Sequence, residues 1–105
     1  MKQNSFENIP DKIPDEIFET LIENNNVRVE KIISKGHSSP KDFWYNQEEN
    51  EWVILLKGHA KLLFEKSKMF DLLPGDYINI PAKTKHRVEW TDPVIETIWL
   101  TVFYQ

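Results

Sequence analysis

The sequence predicts an all-β domain, a sandwich or barrel of short strands, and three observations carry that reading. Runs rich in Val, Ile, Leu and aromatic residues recur about every ten residues, the spacing of short paired strands. The gaps between them hold Gly, Pro, Asn, Asp and Ser, the residues that turn a chain. No segment in the second half of the chain repeats its apolar residues with a helical period.

Each element can be argued in order. Pro10 and Pro14 make the first 15 residues an extended lead-in rather than a helix. EIFETLIE (16–23) admits two readings. Ile17, Phe18 and Leu21 fit one face of a short helix, whereas the turn signal Asn24-Asn25-Asn26 and the alternating, β-branched VRVEKIIS behind it fit a hairpin, which is the favoured reading. SKGHSSPKD is loop chemistry. FWYNQ is short, aromatic and β-prone, and EEN turns it. EWVILLKG is a strand that stops at Gly58, and HAKLLFEK is the next. SKMFD reads as a turn region and LLPGD as a Pro-Gly turn. YINIPA is a strand ended by Pro81, KTKHRVEW alternates around His86, Val88 and Trp90, TDP turns, and VIETIWLTVFY is a long final strand.

The chain has 105 residues, 40% of them hydrophobic and 12% aromatic, which suits one domain with a single core and argues against disorder. Residues 1–26 read as an N-terminal arm and first strand, and residues 27–105 as the barrel. There are no cysteines, so disulfide scaffolds, thiolate metal sites and cysteine nucleophiles are excluded. The net charge is -4 and Lys and Arg are scattered singly among acids, so no nucleic-acid surface is expected. The short cluster Lys83, Lys85, His86, Arg87 reads as a solvated turn. MKQNSFENIPDK carries no apolar stretch of the secretory kind, and no apolar run approaches the roughly 18–20 residues of a membrane span. The expectation is a cytoplasmic protein with no membrane partner.

Side-chain parity selects the candidate site, because alternate residues of a strand share a face. In EWVILL, Glu51, Val53 and Leu55 share one face and Trp52, Ile54 and Leu56 the other. Both are apolar after Glu51, so a carboxylate here lies at a rim or inside, where it needs a partner. In KHRVEW, Lys85, Arg87 and Glu89 face solvent, which turns His86, Val88 and Trp90 inward. Tyr45 and Gln47 share one face of FWYNQ, Trp44 and Asn46 the other. His37 and His59 read as loop and surface residues, and Trp52, Trp99 and Phe103 as core. No His-x-His or His-x-x-x-His pair, nucleophile elbow or Gly-rich phosphate loop is present.

These residues carry a resemblance. Glu51 and Gly58 match the E-x6-G end of the first cupin motif, G-x5-H-x-H-x3-4-E-x6-G. Gly75, Pro81 and His86 match the second, G-x5-P-x-G-x2-H-x3-N. Over residues 36–105 the chain resembles a small single-domain cupin, which implies a cupin-like jelly-roll β-barrel (double-stranded β-helix). The departures are specific. The family's two first-motif histidines fall on Tyr45 and Gln47 with a three-residue spacer to Glu51, the preferred alignment, or on Trp44 and Asn46 with four. Lys83 replaces the second glycine and Trp90 the final asparagine. Of the four family metal ligands, Glu51 and His86 remain.

The resemblance implies a barrel pocket for a small polar ligand, with Tyr45, Gln47, Glu51, His86 and Trp90 as ligand-binding candidates. A remodelled divalent-metal site (Fe, Mn, Ni or Zn) would use Gln47, Glu51 and His86. Two enzymatic alternatives stand beside this binding module. One is a metal-dependent dioxygenase, isomerase or lyase of the cupin type; the other is a metal-free acid–base enzyme with His86 and Glu51 as catalytic candidates. A homodimer is also implied, with the N-terminal arm as an exchanged element.

Overall fold

The computed structural model describes residues 1–105. The chain is all-β: eight strands and one short 3-10 turn. In chain order they are β1 (Ile17–Glu23), β2 (Val27–Ser34), β3 (Asn50–Lys57), β4 (Ala60–Phe64), β5 (Lys68–Leu72), β6 (Tyr77–Ile80), β7 (His86–Thr91) and β8 (Thr97–Tyr104). They form two antiparallel sheets, a five-stranded one ordered β1-β2-β8-β3-β6 and a three-stranded one ordered β5-β4-β7. This is a jelly roll whose hydrogen-bond ladders do not run round a closed barrel. No helix is long and apolar enough to cross a membrane.

EIFETLIE is strand, not helix. The Asn24 side chain accepts the N–H groups of Asn26 (2.8 Å) and Val27 (2.9 Å), and this Asx turn reverses the chain into β2. β2 then pairs with β8 along its whole length, which ties the two ends of the sequence together. On the outward side of β2, buried Lys31 donates to the carbonyl of Ser5 (3.3 Å) and anchors the N-terminal arm.

Two expectations about elements need correcting. SKMFD is not a turn: the reversal lies at Glu65–Ser67, where Lys66 and Ser67 take left-handed backbone (φ 64° and 60°), and Lys68–Leu72 is strand β5. FWYNQ is not a strand either. Only Tyr45 makes a β-bridge, with His86, and the rest of the stretch is loop.

The core lies between the sheets. Val53, Leu55, Ile80 and Trp99 from the larger sheet meet Ala60, Leu62 and Leu72 from the smaller one. Their spacing is the period-two pattern of the strands, which sends each apolar set to one face. Trp99 and Phe103 face the interior as expected. Trp52 does not: it packs on Tyr77 on the outer face, because it has the opposite parity to Val53 and Leu55.

Candidate functional site

The Tyr45–Gln47 segment lies beside the loop that leads into β7, and three backbone hydrogen bonds join the two, with a fourth bond to that loop from Asn50 at the start of β3. Tyr45 and His86 exchange backbone N–H···O bonds (2.7 and 3.1 Å). The Lys83 N–H donates to the Gln47 carbonyl (2.7 Å), and the Ala82 N–H donates to Asn50 Oδ1 (2.9 Å). A further bond links side chains, from Gln47 Nε2 to Glu51 Oε1 on β3 (2.9 Å). Lys83 has φ 61°, a left-handed conformation that a glycine adopts without strain. That accounts for the glycine the family motif has there.

These bonds hold four polar side chains together. Glu51, at the inward start of β3, accepts from both Gln47 Nε2 and His86 Nε2 (3.2 Å) on the same oxygen, Oε1. His86 is only 4% exposed. Its imidazole is stacked between Tyr45 and Phe64, with ring centroids 5.5 and 5.7 Å away. His86 Nδ1 lies 2.8 Å from the Thr84 carbonyl, which can only accept, so Nδ1 carries a proton. Nε2 faces the Glu51 carboxylate, which favours a proton on that nitrogen as well. Burial opposes that charge, but the hydrogen bond to Glu51, the bond to the Thr84 carbonyl and the charge of Glu51 outweigh it, and the His86 pKa is raised. The Tyr45 phenol is also pushed up, first by burial and then by the charges of Glu16 and Glu51.

The four line a cavity of about 260 Å³ between the sheets. Val53, Leu62, Ile80, Val88 and Trp99 form its apolar wall, and Thr101 and Phe103 come from β8. β1, β2 and the residue before β1 supply positions that sequence reasoning missed: Glu16, Phe18, Arg28, Glu30 and Ile32. Alternation alone would send Arg28 and Glu30 to solvent, opposite Val27 and Val29. Instead their face of β2 looks into the cavity, and the outward face is covered in part by the arm. Arg28 donates to Glu30 (3.1 Å) and through two nitrogens to Glu49 (3.3 and 3.2 Å), while its guanidinium lies 4.3 Å from the Phe103 ring centroid. Thr101 was missed too, although its shared parity with Trp99 and Phe103 was available in the sequence.

Tyr45, Gln47, Glu51 and His86 are thus brought together, and Trp44 lies outside this cavity, near Arg87. Trp90 is not with them. The β4–β7 ladder slips between Lys61 and Leu62, so Leu62 pairs with Val88 but Lys61 with Trp90, and Glu89 is the extra residue of a β-bulge. One inserted residue inverts the parity of everything after it. Thr91 turns inward, and Trp90 turns outward against His59, with ring centroids 5.0 Å apart.

The donor set does not suit a tightly held metal ion. No group of three or more His, Cys, Asp or Glu side chains surrounds one point. Glu51 and His86 are two strong donors, but Gln47 offers a neutral amide whose NH2 group is turned to Glu51, and Tyr45 a phenol held protonated. Transition metals favour imidazole over such oxygens.

The fold and the cavity are those of a jelly-roll ligand-binding domain. A Cupin domain family model matches residues 29–103, and the chain belongs to the cupin family. A crystal structure from Ralstonia eutropha JMP134, provisionally named a mannose-6-phosphate isomerase, superposes with a TM-score of 0.96 at 39% identity, covering 100% of this chain and 98% of that one. A cupin superfamily protein from Desulfitobacterium hafniense DCB-2 matches at 18% identity and TM-score 0.76, over 91% of this chain and 83% of that one. A polyketide cyclase from Streptomyces resistomycificus matches at 20% identity and TM-score 0.73, over 87% and 66%. The latter two show the shared fold alone. No curated protein matches the chain. Together these findings support a small-molecule-binding cupin.

Proposed function

We propose that this cupin binds a small polar organic molecule between its sheets, held by Glu51 and His86 with Gln47 and Tyr45 beside them. The observation that carries the reading is the contact of Glu51 with buried His86 in the wall of a cavity of about 260 Å³. That volume lies just below the ~300–1,000 Å³ usual for ligand pockets, so the ligand is smaller than a typical drug. Apolar walls with a few convergent polar groups are the usual composition of such a site. The binding needs no ion, because Gln47 and His86 already meet the Glu51 carboxylate.

A second reading adds chemistry at the same pair. An imidazole and a carboxylate in contact can pass a proton to and from a bound molecule near neutral pH. The isomerase name of the Ralstonia protein points the same way, since aldose–ketose isomerisation moves a proton between neighbouring carbons. In that reading His86 and Glu51 are catalytic residues and Gln47 positions Glu51.

The test is native mass spectrometry with elemental analysis on the purified protein and on Glu51→Gln and His86→Asn. A small organic mass bound to the wild type and lost in both variants is the expected result. About one divalent ion per chain, lost in both variants, would replace this reading with a metal centre.

We also infer a homodimer. Support comes from β1, an edge strand that pairs with β2 alone and leaves Phe18, Leu21 and Ile22 exposed. Light scattering on the wild type and on Ile22→Glu tests it: a dimer that the variant dissociates is expected, and a monomeric wild type overturns it.

A further inference from the structure

Thr101 sits on β8 between Trp99 and Phe103, on the face that lines the cavity, and it is fully buried. Its Oγ1 is the one buried side-chain nitrogen or oxygen in the molecule without a hydrogen-bond partner. Such atoms are rare, because an unpaired buried hydroxyl loses its bonds to water and gains none in return. Valine has nearly the same shape and would fill this strand position without that cost. The hydroxyl is therefore poorly explained by folding alone.

We infer that the Thr101 hydroxyl is a hydrogen-bond partner of the ligand, and that this ligand is an uncharged polyhydroxylated molecule. The inference rests on the cavity being a ligand site, as proposed above. Thr101 pairs with Val53, two residues along β3 from Glu51, so the two polar positions lie about 7 Å apart along the sheet. Apolar side chains, Val53 and Ile80 among them, fill the wall around them. A ligand reaching both positions carries polar groups several bonds apart on a compact skeleton, as a polyol or a sugar does.

The charges of the cavity set the second half of the inference. Glu16, Glu30 and Glu51 supply three carboxylates. Against them stand Arg28 and His86. Arg28 is already divided between Glu30 and Glu49, and His86 is bound to Glu51. No cation is left to receive a phosphate, which would have to displace a carboxylate from its partner. A sugar phosphate, such as the name of the Ralstonia relative suggests, is the wrong charge for this cavity.

Two matched pairs of probes test this: glycerol with glycerol phosphate, and D-mannose with its phosphate ester. Binding is read by calorimetry or saturation-transfer NMR on wild type, Thr101→Val and Thr101→Ser, with the melting temperature of each. Expected is tighter binding of the uncharged member of a pair. Thr101→Val should weaken it about three- to tenfold, the effect of one hydrogen bond. It should melt at or above the wild-type temperature, and Thr101→Ser should bind like wild type. A Thr101→Val variant that melts lower and binds equally well assigns the hydroxyl a structural role and overturns the inference. Tighter binding of the phosphates also overturns it, while leaving the ligand-site reading intact. No binding of either pair to wild type overturns this inference, and the ligand-site reading is then decided separately by the native mass spectrum.

Discussion

His86 and Glu51 meet inside the protein with Nε2 3.2 Å from Oε1, and the far side of the imidazole is fixed by the Thr84 carbonyl 2.8 Å from Nδ1. A ring nitrogen facing an acceptor on each side stabilises the imidazolium, so the His86 pKa is raised above its ordinary 6.5. The linkage has a definite sign. A group whose pKa rises on folding adds stability that is complete below the unfolded value and disappears as pH climbs through the folded one. The His86 NMR titration midpoint is expected above 6.5 in wild type and lower in Glu51→Gln. The stability advantage of wild type over Glu51→Gln should shrink as pH rises through that midpoint. A wild-type midpoint at or below 6.5 would exclude the ion pair.

Arg28, in the lining of the cavity, joins β2 to the loop that carries Gln47. It donates two hydrogen bonds to Glu49 and one to Glu30, and stacks on Phe103. The Glu49 contact is bidentate, a geometry that lysine cannot reproduce. Arg28→Ala is expected to cost about 1.5–3 kcal/mol in urea unfolding, the range for hydrogen bonds to charged groups. Arg28→Lys should recover only part of it. Amide exchange at Lys83, whose N–H is bonded to the Gln47 carbonyl, should speed up in both variants. Unchanged exchange would mean that the loop is held without Arg28.

How much of this was legible in the sequence depends on whether parity survives along each strand. Glu51, Val53 and Leu55 keep a strict period of two, so their inward direction could be read directly. The inward turn of His86 could be read the same way. Trp90 could not, because the bulge at Glu89 is set by how β7 pairs with β4, a tertiary choice that no local pattern records. Arg28 and Glu30 were hidden for a related reason. Polar residues alternating with valines look like a solvated face, and only the arm anchored by Lys31 on the other side shows that the two faces are exchanged. The motif glycines and His86 identified the family from spacing alone. The role of Thr101 depends on a missing hydrogen bond, which exists only in the folded chain.

Gly58 and Gly75, the two motif glycines, share φ 94° but not surroundings. A Cβ on Gly58 would lie 2.6 Å from Thr97 Cα and 2.9 Å from the Glu96 carbonyl, both backbone atoms, whereas nothing lies within 4 Å at Gly75. Gly75→Ala therefore meets backbone strain alone, about 1–2 kcal/mol. Gly58→Ala adds overpacking of about 1–3 kcal/mol and moves the β3–β4 connection against the start of β8. Denaturant unfolding should rank wild type above Gly75→Ala, and Gly75→Ala above Gly58→Ala. Equal losses at the two positions would show that the backbone at Gly58 can shift away from Thr97.

The altered half of the first cupin motif is the strongest handle on the metal question. Tyr45 stacks on His86, and Gln47 donates to Glu51, so both replaced positions already face the two retained ligands. Tyr45→His with Gln47→His would put two more imidazoles beside Glu51 and His86, a donor set that transition metals favour. The double variant is expected to take up about one Zn²⁺ or Ni²⁺ per chain, to melt higher when the ion is present, and to lose that gain with a chelator. Wild type should bind the same ions far more weakly, because it offers two strong donors rather than four. The double variant also breaks the Gln47–Glu51 hydrogen bond, so its metal-free form should be less stable than wild type by about 1 kcal/mol. Tight binding by wild type, matching the double variant, would show that amide and phenol oxygens suffice in this cavity and would return the metal-dependent readings to first place.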